Sequence, residues 1–259
     1  MLLGMSQPRP VALVTGPTAG IGRSFALELA RRGYDLVLVA RSADTLAEVA
    51  EEVRALGADA EVLSADLADR QQLAAVERRV AQDERPIDLL VNNAGFGLKK
   101  GLVDNDIEDE QRMLDVLVTA VLRLSHAATR SMLARGHGGV INVSSVAGFL
   151  PRGTYAAAKA YVTQLSRWAD ATYRDRGVRT MALCPGFVRT SFHERMEVGR
   201  DSAPSWLWLD ADRLVRDALD DFDKGKAVSV PDVRYKAVVA LTKYIPAPVL
   251  SRFQNVGRK

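Results

Sequence analysis

Residues Pro10 to Thr15 (PVALVT) form an almost wholly apolar run that ends at Gly16, and Gly20 and Gly22 then lead into the helical pattern GRSFALELARRG. A short run of this kind reads as a strand buried on both faces. Such a strand needs helices above and below it, which commits the chain to a layered α/β fold. The glycines let the backbone turn sharply, approach a phosphate closely and pack the helix against the strand. The helix start offers N–H groups and the positive end of its dipole to a pyrophosphate. The spacing is not G-x-G-x-x-G, so the loop alone leaves an ordinary strand-to-helix turn open as the alternative.

The rest of the chain keeps alternating. YDLVLVA, AEVLSAD, IDLLVNN, VINVSS, VRTMALC and KAVSVP read as six further strands. Between them lie helical patterns at ADTLAEVAEEVRALG, at RQQLAAVERRVAQDE and over about 108–134. Others start near Tyr155, running to about Arg176 with Gly177 as the stop, and at DADRLVRDALDDF. Alternation of this kind predicts a single-domain, Rossmann-type doubly wound parallel sheet with helices on both faces and right-handed crossovers. One domain is expected over residues 1–259, with a C-terminal helical tail at 232–259.

Tyr155 and Lys159 stand four apart in TYAAAKAYVTQLSRW, ten residues after the Ser144-Ser145 pair. Residues four apart share a helical face, so phenol and ammonium point into the same space. An ammonium beside a phenol is expected to lower the phenol's pKa, making it a general acid or base. A helix that packs its Tyr and exposes its Lys is the bland alternative. The glycine loop upstream and the serine-ended strand favour the functional reading.

Taken together, these segments resemble the short-chain dehydrogenase/reductase family up to about Pro231. The matching pieces are TGPTAGIG, Asp66-Leu67, NNAG at Asn92 to Gly95, INVSS, the Tyr155/Lys159 pair, and PGFVRT at Pro185 to Thr190. Within the family, NVSSVAGF, AKAYV and ALCPGFVRT look like a bacterial branch of ketoreductases related to hydroxysteroid and acyl-chain reductases. The resemblance implies Ser145, the second serine of its pair, as the catalytic serine, with Tyr155 as proton donor. It gives Lys159 the nicotinamide ribose and the task of keeping Tyr155 acidic. Cofactor contacts are implied at Gly16, Thr18, Gly20, Ile21, Gly22, Asp66, Leu67, Asn93, Ala94, Gly95, Tyr155 and Lys159. Pro185, Gly186, Val188 and Thr190 would place the nicotinamide carboxamide. A homodimer or homotetramer is expected.

Cofactor preference is read at the end of the second strand, Val39-Ala40-Arg41-Ser42. An acid there would bind the ribose hydroxyls of NAD, whereas a nearby arginine accommodates a 2′-phosphate. The acid is absent and Arg41 is present, so NADP(H) is the expected cofactor.

Composition restricts the alternatives. The 259 residues carry a net charge of +3 without a concentrated basic block, which argues against nucleic-acid binding. The single cysteine, Cys184, excludes an internal disulfide and suits a reducing cytoplasm. In TMALCPG it reads as a buried small hydrophobe. His126, His137 and His193 are scattered, and no metal site is expected. No run reaches transmembrane length, and no signal peptide is expected from the first nine residues, which are too short and too poorly organised for one.

The chain departs from the family pattern twice. Asp115-Val116-Leu117-Val118-Thr119-Ala120 puts leucine where the family has an asparagine that helps hold a relay water. A backbone carbonyl can take over that water if the helix is locally distorted. The loop GFLPRG between Ser145 and Tyr155 is also shorter than usual. Leu117 is the only support for a competing reading, a cofactor-binding regulatory or scaffold protein with impaired catalysis. The family's dehydratases and epimerases carry different surroundings for the glycine loop and tyrosine. Phe96, Phe149, Leu150, Phe187, Phe192, Trp206 and Trp208 offer apolar surface, so an apolar carbonyl or alcohol substrate is expected, although each taken singly suits the core. The basic, apolar-spaced tail admits a membrane-surface helix, a flap or a subunit contact; packing against its own subunit or a neighbour is preferred.

Overall fold

A computed structural model describes residues 8–189 and 204–242. Seven parallel strands form one sheet: β1 (Val11–Thr15), β2 (Asp35–Ala40), β3 (Ala60–Ser64), β4 (Ile87–Asn92), β5 (Gly138–Val143), β6 (Val178–Leu183) and β7 (Val228–Ser229). Their order is β3-β2-β1-β4-β5-β6-β7. The order therefore reverses between β1 and β4, and open α/β sheets bind ligands beyond the C-terminal ends of strands at such a switch point.

Burial follows the two-residue period of a strand. In β1, Ala12 and Val14 join one core with α1 (Gly20–Arg31), α2 (Ala43–Ala55) and α7 (Ala211–Asp223). Val11 and Leu13 join the other, with α3 (Arg70–Val80) and α5 (Val121–Arg135). Helix α6 (Gly153–Tyr173) packs on β6, and Gly177 ends its 3-10 extension at a left-handed φ of 83°.

Several helices among the described residues begin with a side-chain cap. Ser42 accepts from Thr45 N, Asp69 from Gln71 N and Gln72 N, Asp106 from Glu108 N, and Asp210 from Arg213 N. Helix α1 begins at Ala19 without one.

Two elements differ from the sequence expectation. The long central helix is continuous but not uniform: α4 (Ile107–Leu114) passes through a π-helical segment, Asp115–Ala120, into α5. Wider turns of this type concentrate at functional sites, and this one falls on the segment holding Leu117. The final strand is only two residues long, sits at the sheet edge and pairs with β6 alone. Helix α8 (Val233–Thr242) follows it. Among the described residues, no helix is long and apolar enough to cross a membrane.

Candidate active site

The loop from β1 to α1 is built around absent side chains. Gly16 and Gly20 take left-handed φ values of 66° and 54°. A Cβ on residue 22 would lie 2.1 Å from the Gly16 carbonyl oxygen, and one on residue 16 would lie 2.9 Å from Ala94 Cα. Asn93 fixes the loop from below, its amide donating to the Thr15 and Gly16 carbonyls at 2.9 and 3.0 Å. Thr15 Oγ1 accepts from the Asn93 and Ala94 N–H groups at 2.9 and 3.0 Å. A side-chain-free cradle therefore faces the uncapped start of α1, an arrangement that fits a pyrophosphate. Thr18 and Ile21, both partly exposed, flank it.

At the other end of the crevice, Arg41 is exposed just beyond β2. The Asp66 carboxylate pairs with Arg112 of α4. Burial alone would raise the Asp66 pKa, but the Ala68 N–H and the Arg112 and Arg41 guanidiniums together hold it below the usual value. Leu67 is buried in the core beneath α3, so its side chain supports the crevice from within.

Ser144 and Ser145 follow β5 and serve different neighbours. Ser144 Oγ donates to the Lys159 carbonyl at 2.7 Å and shares a hydrogen bond with Thr163 Oγ1 at 2.7 Å, locking α6 onto the strand end. Ser145 Oγ accepts from Ala147 N at 3.1 Å and is hydrogen-bonded to the Tyr155 hydroxyl. Tyr155 lies in the first turn of α6, one turn before Lys159. The Lys159 ammonium is 5.7 Å from the Tyr155 ring centroid and donates to the Val143 carbonyl at 2.7 Å.

Electrostatics correct one expectation. Burial raises the Tyr155 pKa to about 12, outweighing the opposing hydrogen bond from Ser145. It also lowers that of Lys159 to about 8. The neighbouring ammonium alone would make the phenol more acidic, but the burial of Lys159 and the partial burial of Tyr155 disfavour both charged forms. The phenol is thus kept protonated beside an ammonium that gives up its proton easily. Cys184 is fully buried and its thiol is pushed up to about 11, again chiefly by burial.

Leu117 is fully buried against Gly95, where a Cβ would lie 2.8 Å from Leu117 Cδ2 and 3.9 Å from Lys159 Nζ. Met113, Leu117 and Ala158, with Phe96, Leu98, Val118 and Tyr155 against them, form an apolar cluster beside the hydroxyls. Across from it, Phe149 and Phe187 are partly buried in a second cluster. Phe187 packs against Trp208 with ring centroids 5.6 Å apart and planes tilted by 50°, and Trp206 is exposed. Leu150, at the end of the shortened loop, is partly exposed.

The segment after β6 is held from three sides. The Pro185 carbonyl accepts from Val146 N at 3.0 Å, Val188 bridges Leu209, and Phe187 N donates to the Tyr235 hydroxyl at 3.0 Å. Sequence reasoning missed Tyr235, which brings α8 onto Gly186. Thr190 and Phe192 lie outside the described residues, as do 243–259 of the tail. Among the described residues no group of His, Cys, Asp and Glu could hold a metal ion.

The chain is similar in sequence and in fold to known dehydrogenases. The chain is 34% identical over 203 residues to galactitol 2-dehydrogenase of Rhizobium johnstonii, covering 76% of this chain and 78% of that one. A short-chain dehydrogenase from Sphingobium yanoikuyae, solved in complex with NADPH, superposes with a TM-score of 0.83 at 34% identity, covering 91% of this chain and 94% of that one. The bulky-bulky ketone specific alcohol dehydrogenase of Comamonas testosteroni gives 0.78 at 31% identity, with 92% and 95% covered. The sequence profile described as short chain dehydrogenase matches residues 10–200, and the chain belongs to that family of oxidoreductases.

Proposed function

We propose that this protein is an NADP(H)-dependent reductase and dehydrogenase that interconverts a carbonyl and a secondary alcohol on an apolar small molecule. The observation that carries the reading is the Ser145–Tyr155 hydroxyl pair beside a buried Lys159, at the C-terminal end of the sheet. NADP(H), when bound, supplies or accepts the hydride. Gly16, Gly20, Gly22 and the start of α1 hold its pyrophosphate, and Pro185, Gly186 and Val188 place the nicotinamide end.

Ser145 and Tyr155 grip the carbonyl oxygen and polarise it. Tyr155 then gives its proton to that oxygen as negative charge develops there, and takes the proton back in the oxidative direction. A phenol held at about 12 stays protonated through the neutral range, so the donor is loaded for the reductive direction, whereas in the oxidative direction it must first give up its own proton. Lys159, held at about 8, is a ready proton source for the tyrosinate left behind. The NADP(H) preference rests on Arg41 at the tip of β2 and the absence of an acid there. The NADPH complex of the Sphingobium relative supports it.

The apolar clusters around Phe96 and Phe187 favour a substrate with hydrocarbon on both sides of the carbonyl. The specificity named for the Comamonas relative, a bulky-bulky ketone, supports the same class. A cytoplasmic homodimer or homotetramer belongs to this reading. Leu122, Tyr161 and Trp168, exposed on α5 and α6, support the association, which sedimentation velocity tests. NADPH oxidation against a panel of ketones, aldehydes and quinones tests the activity. Cofactor binding without turnover on any of them would favour the scaffold role that Leu117 suggests.

A further inference from the structure

Helix α8 has one fully buried anchor, with Val239 packed beside it and Arg234 donating to the Trp206 carbonyl. Tyr235 is its only buried residue, at 4% exposure, while Val233, Val238 and Leu241 face solvent. Its ring lies flat against the bare α-carbon of Gly186: a Cβ there would fall 2.0 to 2.3 Å from three ring carbons. Its hydroxyl accepts from Phe187 N at 3.0 Å and donates to the Leu207 carbonyl at 2.8 Å. One phenol therefore ties the turn after β6 to the segment that resumes at Pro204. The same two segments are joined again just beyond it, where Leu209 N donates to the Phe187 carbonyl at 2.8 Å and Arg189 N to the Leu209 carbonyl at 3.0 Å. The Pro185 carbonyl, on the near side of Gly186, accepts from Val146 N, the residue next to Ser145.

We propose that Tyr235 is a positioning residue for the nicotinamide end of the site: it fixes the Pro185–Phe187 backbone from the C-terminal helix, and so holds that backbone in register with Ser145. The inference rests on the reading of this turn as the nicotinamide-placing segment. Tyr235 touches neither hydride nor carbonyl. It acts through the main chain of Gly186 and Phe187, whose freedom would otherwise be large because residue 186 has no side chain to pack. It also explains why residue 186 is glycine with ordinary φ, since the ring occupies the space of any side chain there.

The test compares wild type with Tyr235→Phe, which keeps the ring and removes only the hydroxyl. Both proteins are titrated by fluorescence with NADPH and with 2′-phosphoadenosine diphosphoribose, which is NADP without its nicotinamide. Loss of the two hydrogen bonds should weaken NADPH on the order of tenfold. The fragment, which does not reach the turn, should bind both proteins alike. Gly186→Ala should give the same split, because its methyl must displace the ring. Equal weakening of both ligands would show general damage and overturn the role, and so would unchanged NADPH affinity in Tyr235→Phe. If wild type gains nothing from the nicotinamide, NADPH and fragment binding alike, the reading of the turn itself fails and the role falls with it.

Discussion

Leu117 presses its δ-methyl onto Gly95, close enough that a Cβ on residue 95 would stand 2.8 Å from it and 3.9 Å from the Lys159 ammonium. The hydrocarbon thus sits near the Lys159 ammonium, in a π-helical segment of an otherwise regular helix. Where the family places an amide, this chain places a methyl group.

Replacing that leucine separates two effects. Leu117→Asn should raise the maximal rate at high pH, where protons are scarce, because a relay water near Lys159 gains a side-chain partner. The variant should also be less stable by about 2 to 4 kcal/mol, since a fully buried leucine is lost and an amide must find hydrogen bonds in its place. The pH–rate profile checks the first half and the melting temperature the second. An unchanged profile with a lowered melting point would assign the proton supply to the main chain of the π-helical segment.

Tyr155→Phe should reduce carbonyl turnover on the order of a hundredfold to ten-thousandfold while leaving NADPH affinity nearly intact, because only the proton donor is removed. Lys159→Ala should damage both, since it faces the ribose site and the phenol together. Steady-state kinetics with parallel NADPH titrations measures the two losses. Near-normal turnover in Tyr155→Phe would end the assignment of Tyr155 as the acid.

Much of this architecture was legible in the chain. Apolar runs such as LVLVA and LLVN announce strands covered on both sides, and the glycines after Thr15 announce the cradle, because each follows from local sterics and burial. Other features depend on distant packing. The π-helical turn lies in DVLVTA, whose β-branched Val116, Val118 and Thr119 only weaken an ordinary helical pattern. Tyr235 looks like one more residue in a mixed tail; its meaning comes from Gly186, 49 positions earlier. The direction of the Tyr155 shift was also misread, because four-residue spacing reveals the ammonium but not the burial that outweighs it.

Arg41, exposed just beyond β2, is the proposed reader of a 2′-phosphate. Arg41→Ala should raise the Michaelis constant for NADPH far more than that for NADH, by a loss of about 1 to 3 kcal/mol for one charge-assisted contact. Measuring both constants on one substrate decides it. If both cofactors weaken equally, the phosphate is read elsewhere.

Lys159 makes the stability of the protein depend on pH with a definite sign. Its pKa is 10.5 in the ordinary state and about 8 in the fold, lowered chiefly by burial. Below about 8 the lysine is charged in both folded and unfolded chains, and the fold bears the full cost of burying that charge. Between about 8 and 10.5 the unfolded chain binds more protons than the folded one, so the contribution of Lys159 to stability rises with pH. Lys159→Met keeps most of the volume and removes the charge. It should therefore melt higher relative to wild type at pH 7 than at pH 10, the difference shrinking across that window. Thermal melts of both proteins at several pH values check this directly, with the ionisation of the other groups common to the pair apart from Cys184, whose thiol pKa Lys159 lowers. A difference that stays constant from pH 7 to pH 10 would mean that the folded lysine titrates near its ordinary value, and the ready proton source beside Tyr155 would have to be sought elsewhere.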